Sequence, residues 1–273
     1  MTIPLSPEDY QEPACPLCMD TDNVERIPVT RIIQKLDEHL NRNDYVSALD
    51  HLNYWIKEAV ALGDESGLLS LYNERMGLYR KTGKQEPAIA DAQAAVCLMR
   101  KLKLEDSKTG GTTLLNAATV YKSFQLADLA LPLYEDALRI FEQTLSPTDS
   151  LFGGLYNNMG LALVDLKQFE RANRYYDKAL QIMAGIENGA LEQAITHLNM
   201  ADAATAQYGL EGAAQAIEER LQQAHDLLED PTLPRNGYYA FVAEKCAPTF
   251  RFYGHFFYAK QLEQRARSIY ERA

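Results

Sequence analysis

Leu155-Tyr156-Asn157-Asn158-Met159-Gly160-Leu161-Ala162-Leu163, followed after a short break by Phe169-Glu170-Arg171-Ala172-Asn173-Arg174-Tyr175-Tyr176-Asp177-Lys178-Ala179-Leu180, spells out two short helices. In the first, Tyr156, Met159, Gly160 and Leu163 recur at intervals of three and four, which puts them on one face of a 3.6-residue helix. In the second, Phe169, Ala172, Tyr176, Ala179 and Leu180 do the same. Gly160, Ala172 and Ala179 are small where two helices must approach closely, and large side chains fill the space beside them. Lys167-Gln168 lies between the two as a turn.

The same pattern recurs along the chain. Leu114 aligns with Tyr156, Ala118 with Gly160, Ala130 with Ala172, Tyr134 with Tyr176 and Ala137-Leu138 with Ala179-Leu180, every offset being 42. A further 42 residues back stand Tyr72, Met76, Tyr79, Ala88, Ala92 and Ala95. Forward by 41 from Ala172 stands Ala213, with Ala201 and Ala204 upstream; weaker copies centre on Ala48 and Ala259. A helix pair cannot bury both its faces alone, so repeated pairs stack side by side. The expected fold is all-α, a right-handed α-solenoid of about six helix-turn-helix units over 28–273. The units fall at roughly 29–68, 69–110, 111–152, 153–193, 194–235 and 236–273. Gly63-Asp64, Gly110-Gly111, Ser146-Pro147-Thr148-Asp149 and Pro231 with Pro234 serve as stop or entry signals between helices. Residues 1–27 lack the period, are rich in proline, and are read as an irregular N-terminal extension.

The pattern Tyr156, Met159, Gly160, Leu163, Ala172, Tyr176 and Ala179 resembles the tetratricopeptide repeat, without its leading Trp and mostly without its closing Pro. The 41–42 residue period is longer than that family's usual repeat and is similar to the variety in kinesin light chains and bacterial peptide-sensing regulators. The resemblance implies a scaffold that binds proteins or peptides on the concave face lined by the first helix of each unit. In kinesin light chains and the bacterial sensors, asparagines on that face hold the ligand. The bacterial regulators also carry a DNA-binding domain ahead of their repeats, for which the 27 residues here are too few.

The residue two places after Tyr156 points about 200° away from it. In three units that position is asparagine: Asn116, Asn158 and Asn199. A carboxamide donates and accepts together, so a row of them can pair with the backbone of an extended peptide. Asn73 and Asn157, one place earlier, add polar contacts. Arg80, Lys81 and Lys122 supply positive charge for an acidic side chain or a C-terminal carboxylate. A solvated helix end accounts for those cations equally well, and local hydrogen bonding for the asparagines.

Composition bounds the alternatives. Hydrophobic residues at 47% and charged residues at 24% fit a globular chain. A net charge of −11, with 27 basic against 38 acidic residues and no basic cluster, argues against nucleic acid or an anionic membrane as partner. No apolar run has the length of a membrane span, and Met1-Thr2-Ile3-Pro4 does not open a signal peptide. Four cysteines make no disulfide framework, so a cytoplasmic location is expected. Cys15-Pro16-Leu17-Cys18 is half of a zinc or redox motif without the other half. His39, His51, His197, His225 and His255 are scattered, with His197 in the packing column of Leu114 and Tyr156. No catalytic constellation, cofactor or metal is expected, and the chain reads as no enzyme. The last unit is unusually aromatic: Tyr238, Tyr239, Phe241, Phe250, Phe252, Tyr253, Phe256, Phe257, Tyr258 and Tyr270. Those rings form either a bulky core for a divergent final repeat or a surface for a homodimer.

Overall fold

The computed structural model describes residues 25–272; Cys15 and Cys18, with most of the 1–27 extension, lie outside the described residues. Among the described residues the secondary structure consists of helices that come in pairs. They are α1 (Val29–Asn41) and α2 (Tyr45–Leu62), α3 (Glu65–Lys81) and α4 (Gln85–Lys101), α5 (Lys108–Ser123) and α6 (Ala127–Thr144). Then follow α7 (Leu151–Asp165) and α8 (Phe169–Met183), α9 (Gly189–Gly212) and α10 (Ala214–Glu229), α11 (Gly237–Phe252) and α12 (Phe256–Tyr270). The chain divides into two compact units, 1–71 and 72–273, with the division inside α3.

In the first unit α1 packs on α2. Ile32 and Leu36 of α1 are buried, as are Ala48, Leu52, Ile56 and Ala59 of α2. Asp44 caps α2 by accepting the Ser47 N–H. Gly63 ends that helix in the left-handed conformation that only glycine adopts without cost. The next residue, Asp64, is buried, and its carboxylate accepts the Gly67 N–H at 2.9 Å and the Ile27 N–H at 3.0 Å. The Gly63-Asp64 signal is therefore a C-cap followed at once by an N-cap.

In the second unit α5 packs on α6, α7 on α8, α9 on α10 and α11 on α12, and the second helices α4, α6 and α8 pack on the first helix of the next pair. The second helices carry a column of buried alanines, Ala88, Ala130, Ala172 and Ala259, which lets the backbones close up. In α10 the place is taken by Ile217, 45 residues after Ala172, and the expected Ala213 stands just ahead of the helix as its N-cap. One close approach is at Gly160, where a methyl group would lie 2.4 Å from Cε1 of Tyr176. Within this unit the first helices of successive pairs, α5 with α7, α7 with α9 and α9 with α11, touch one another. Among the described residues the second helices α6, α8, α10 and α12 make no comparable approach in succession. The first-helix side of this unit is thus its inner side.

One turn is used again and again. Asn43, Gly83, Gln125, Lys167 and Gly254 all have positive φ and stand midway between the two helices of a pair. In each case the following N–H reaches a carbonyl five residues back, as Gln168 does to Leu163 at 2.8 Å and Lys84 to Tyr79 at 2.8 Å. This bond satisfies carbonyls that the helix end would leave open. The α9–α10 turn departs from this form: α9 is broken at Gly209, with φ 74° and ψ 169°, before its last residues.

Several expected boundaries shift. Those at 68/69, 110/111, 152/153 and 193/194 fall inside the opening turns of α3, α5, α7 and α9. Stepping by a fixed period carries the phase of the repeat but not its caps. Gly110-Gly111 is not a stop: both glycines are buried in the first turn of α5, which Ser107 caps. A methyl group on Gly110 would sit 2.0 Å from the Leu104 carbonyl oxygen, and one on Gly111 2.5 Å from the Phe141 ring. They are glycines for close approach. At Ser146-Pro147-Thr148-Asp149 the expected entry is seen, with Asp149 accepting the Leu151 N–H at 2.9 Å.

Candidate functional site

The inner side of the second unit brings the asparagines together. Asn116 on α5, Asn158 on α7 and Asn199 on α9 are half-buried and occupy the same place on successive helices. Asn116 donates its amide N–H to Oδ1 of Asn73 on α3 at 3.0 Å, and Asn73 in turn donates to Oγ1 of Thr113 at 3.2 Å. Two repeats on, Asn199 donates to Oδ1 of Asn157 at 3.0 Å, and the Thr196 hydroxyl reaches the same oxygen at 3.3 Å. Asn73 and Asn157 therefore anchor the amide of the next first helix, and Asn157 is itself buried. Asn116 and Asn199 keep a carbonyl oxygen and a second N–H. Asn158 differs, because the position one repeat back that would supply its anchor is Leu115.

The cations are spread out. Arg80 and Lys81 are exposed at the end of α3. Lys122 is three-quarters covered and lies 3.9 Å from Asp165 on α7. Two further exposed pairs cross from the third helix pair towards the fourth: Lys108 with Asp149 at 3.9 Å and Glu135 with Arg171 at 3.0 Å.

Sequence reasoning missed the acidic and aromatic continuation of this wall. Asp202 follows Asn199 by three residues, accepts the Tyr253 hydroxyl at 2.8 Å, and is raised above the usual carboxylate range by desolvation. Glu192, nearer the start of α9, accepts the Tyr238 hydroxyl; burial raises its pKa and the Lys245 charge opposes that. A step of 42 from Asn199 reaches Phe241, which is exposed and stacks on Tyr238 at 6.3 Å between ring centres. The repeat arithmetic alone could have placed Phe241 at the end of the amide row. The aromatic unit splits: Tyr239 and Phe250 are core, whereas Phe252, Phe256 and Phe257 are 65–76% exposed. His197 is buried and carries a pKa lowered to about 4 by desolvation and by Arg220. Burial likewise raises the Cys246 thiol to about 12. Among the described residues no group of three or more His, Cys, Asp or Glu is placed to hold a metal, and no helix is long and apolar enough to cross a membrane.

Residues 154–184, the α7–α8 hairpin, match the family model "Tetratricopeptide repeat". BtubC (BKLC) from P. vanneervenii superimposes with a TM-score of 0.62 at 20% identity, covering 76% of this chain and 84% of that one. A putative kinesin light chain from Podosopora anserina, described as having nearly identical TPR-like repeats, gives 0.51 at 16% identity over 72% of this chain and 92% of that one. Residues 154–184 thus match one tetratricopeptide repeat, and the fold of the chain is similar to that of these kinesin-light-chain-like repeat proteins. A Rap protein complexed with Competence and Sporulation Factor shares this tetratricopeptide-type fold, with a TM-score of 0.50, 14% identity and coverage of 89% and 75%. No curated protein sequence matches the chain significantly. The tetratricopeptide architecture explains the alanine column and the inner row of first helices.

Proposed function

We propose that this protein is a non-enzymatic scaffold that binds an extended peptide segment of a partner along the inner wall of α5, α7 and α9. The observation that carries the reading is the row Asn116, Asn158, Asn199, with Asn73 and Asn157 fixing the outer two in register. Held amides lose little side-chain entropy on binding, so each contact is worth more to the complex. Asn158 then offers its whole amide to the ligand. Arg80, Lys81 and Lys122 give the wall positive charge near one end, while Asp202 and Glu192 give it negative charge near the other. A peptide whose acidic end lies towards α3 and whose basic end lies towards α9 fits that gradient. A Rap protein of similar fold has been seen in complex with Competence and Sporulation Factor, which supports the reading. Binding of a peptide library to the wild type and to Asn158→Ala tests the reading. The expected outcome is about fivefold weaker binding by Asn158→Ala at unchanged melting temperature; equal affinity overturns it.

A second reading rests on Phe252, Phe256 and Phe257, whose exposure is unusual for three large rings so near one another in sequence. The sixth repeat would then pair with its counterpart in a second copy. Sedimentation over a wide concentration range decides it, and a monomer throughout ends it.

A further inference from the structure

At the far end of the second unit a cavity of about 530 Å³ opens between α11, α12 and the segment before α11. Three arginines line it, Arg235, Arg265 and Arg272, together with Gln261, Gln264, Ser268, Tyr239 and Ile269. In a chain of net charge −11 this concentration of guanidinium groups is the opposite of the average surface. Their fixed geometry is visible. Arg235 lies over the Tyr239 ring, 4.1 Å from its centre, and donates one N–H to the Leu228 carbonyl. Arg265 pairs with Glu229 and donates to the Tyr239 hydroxyl at 3.2 Å. Arg272 is exposed at the rim.

We propose that this cavity binds a phosphate monoester. With Glu229 paired to Arg265 and Asp230 near Arg235, the three guanidiniums still outnumber the carboxylates beside them, which suits a phosphate monoester at about −1.5 to −2. Guanidinium forks suit the oxygens of a phosphate, and the Ser268 hydroxyl and the Gln261 and Gln264 amides add neutral donors. Tyr239 and Ile269 provide apolar surface for the organic part. The N-terminus of α11 and the C-terminus of α12 both lie near the cavity with opposite dipoles, so the side-chain charges decide its sign. The site is separate from the amide wall and does not depend on it.

Arg235 and Arg265 support neighbouring structure, so the test uses Arg272→Gln and Ser268→Asp, each on the solvent side. Titration calorimetry of the full chain with phenyl phosphate, inorganic phosphate, a phosphoserine peptide and benzoate is the experiment. Saturable binding of phenyl phosphate, weakened about tenfold in each variant and unchanged in Asn158→Ala, supports the site. Tighter binding of the phosphoserine peptide than of phenyl phosphate assigns the phosphate to a polypeptide; the reverse order assigns it to a small molecule. No saturation at millimolar ligand, equal binding by both variants, or benzoate binding as well as phenyl phosphate overturns the proposal.

Discussion

The third and fourth repeats match column by column, yet they treat the same tyrosine in opposite ways. Tyr134 is fully buried, and its hydroxyl donates to Oγ1 of Thr119 at 3.2 Å. Tyr176, also fully buried, is pressed against Gly160 and has no hydrogen-bond partner for its hydroxyl. The residue that corresponds to Thr119 is Leu161. Burial raises the pKa of both phenols. The repeat therefore preserves shape and volume, which stacking requires of every unit, while polar satisfaction is free to drift from one unit to the next.

The contrast can be broken most severely at Gly160. Gly160→Ala forces a methyl group into the Tyr176 ring, which has little room to swing, and is expected to cost about 2–3 kcal/mol in denaturant unfolding. The third repeat already holds alanine at this place. A second difference concerns His197, which stands where the third and fourth repeats have Leu114 and Tyr156. Its folded pKa is depressed to about 4, so the folded chain keeps it neutral while the unfolded chain takes up a proton below about 6.5. Its contribution is complete above that value and is lost as the pH falls towards 4, by about 1–3 kcal/mol. Melting temperatures at pH 7.5 and pH 5 should fall further apart in the wild type than in His197→Gln. Asn116→Ala, which removes the bond from Asn116 to Asn73, should cost about 1 kcal/mol in chemical denaturation, whereas Asn158→Ala leaves stability nearly untouched. At the tyrosines themselves the sign should reverse. Tyr134→Phe destabilises by about 1 kcal/mol, and Tyr176→Phe, by removing an orphaned hydroxyl, stabilises by a similar or smaller amount. Two equal losses in a thermal melt would erase the distinction drawn between the repeats.

The helix pairs were readable because packing writes itself into sequence at intervals of three and four, and the alanine column steps by 42 from Ala88 through Ala130 to Ala172. The caps were not, since a period has no preferred starting point; Gly110-Gly111 shows the failure, its glycines answering to Leu104 and Phe141 rather than to a helix end. The asparagine row was legible down one column, but its hydrogen bonds run diagonally, from Asn116 to Asn73 and from Asn199 to Asn157, and a reading along columns does not see them. Cys15 and Cys18 lie outside the described residues, so the half-motif they form stays a sequence observation. Arg235, Arg265 and Arg272 share no motif at all, because only the packing of α11 against α12 brings them to one cavity.

The joints between repeats are fastened by different chemistry. Between the third and fourth pairs run three ion pairs partly open to solvent, Lys122–Asp165, Lys108–Asp149 and Glu135–Arg171, whereas the fourth and fifth are tied through the neutral groups of Asn157, Asn199 and Thr196. Mobile ions weaken the first kind of fastening and leave the second alone. The electrolyte around the protein thus acts as a selective dial, loosening one joint of the array while its neighbour keeps its grip.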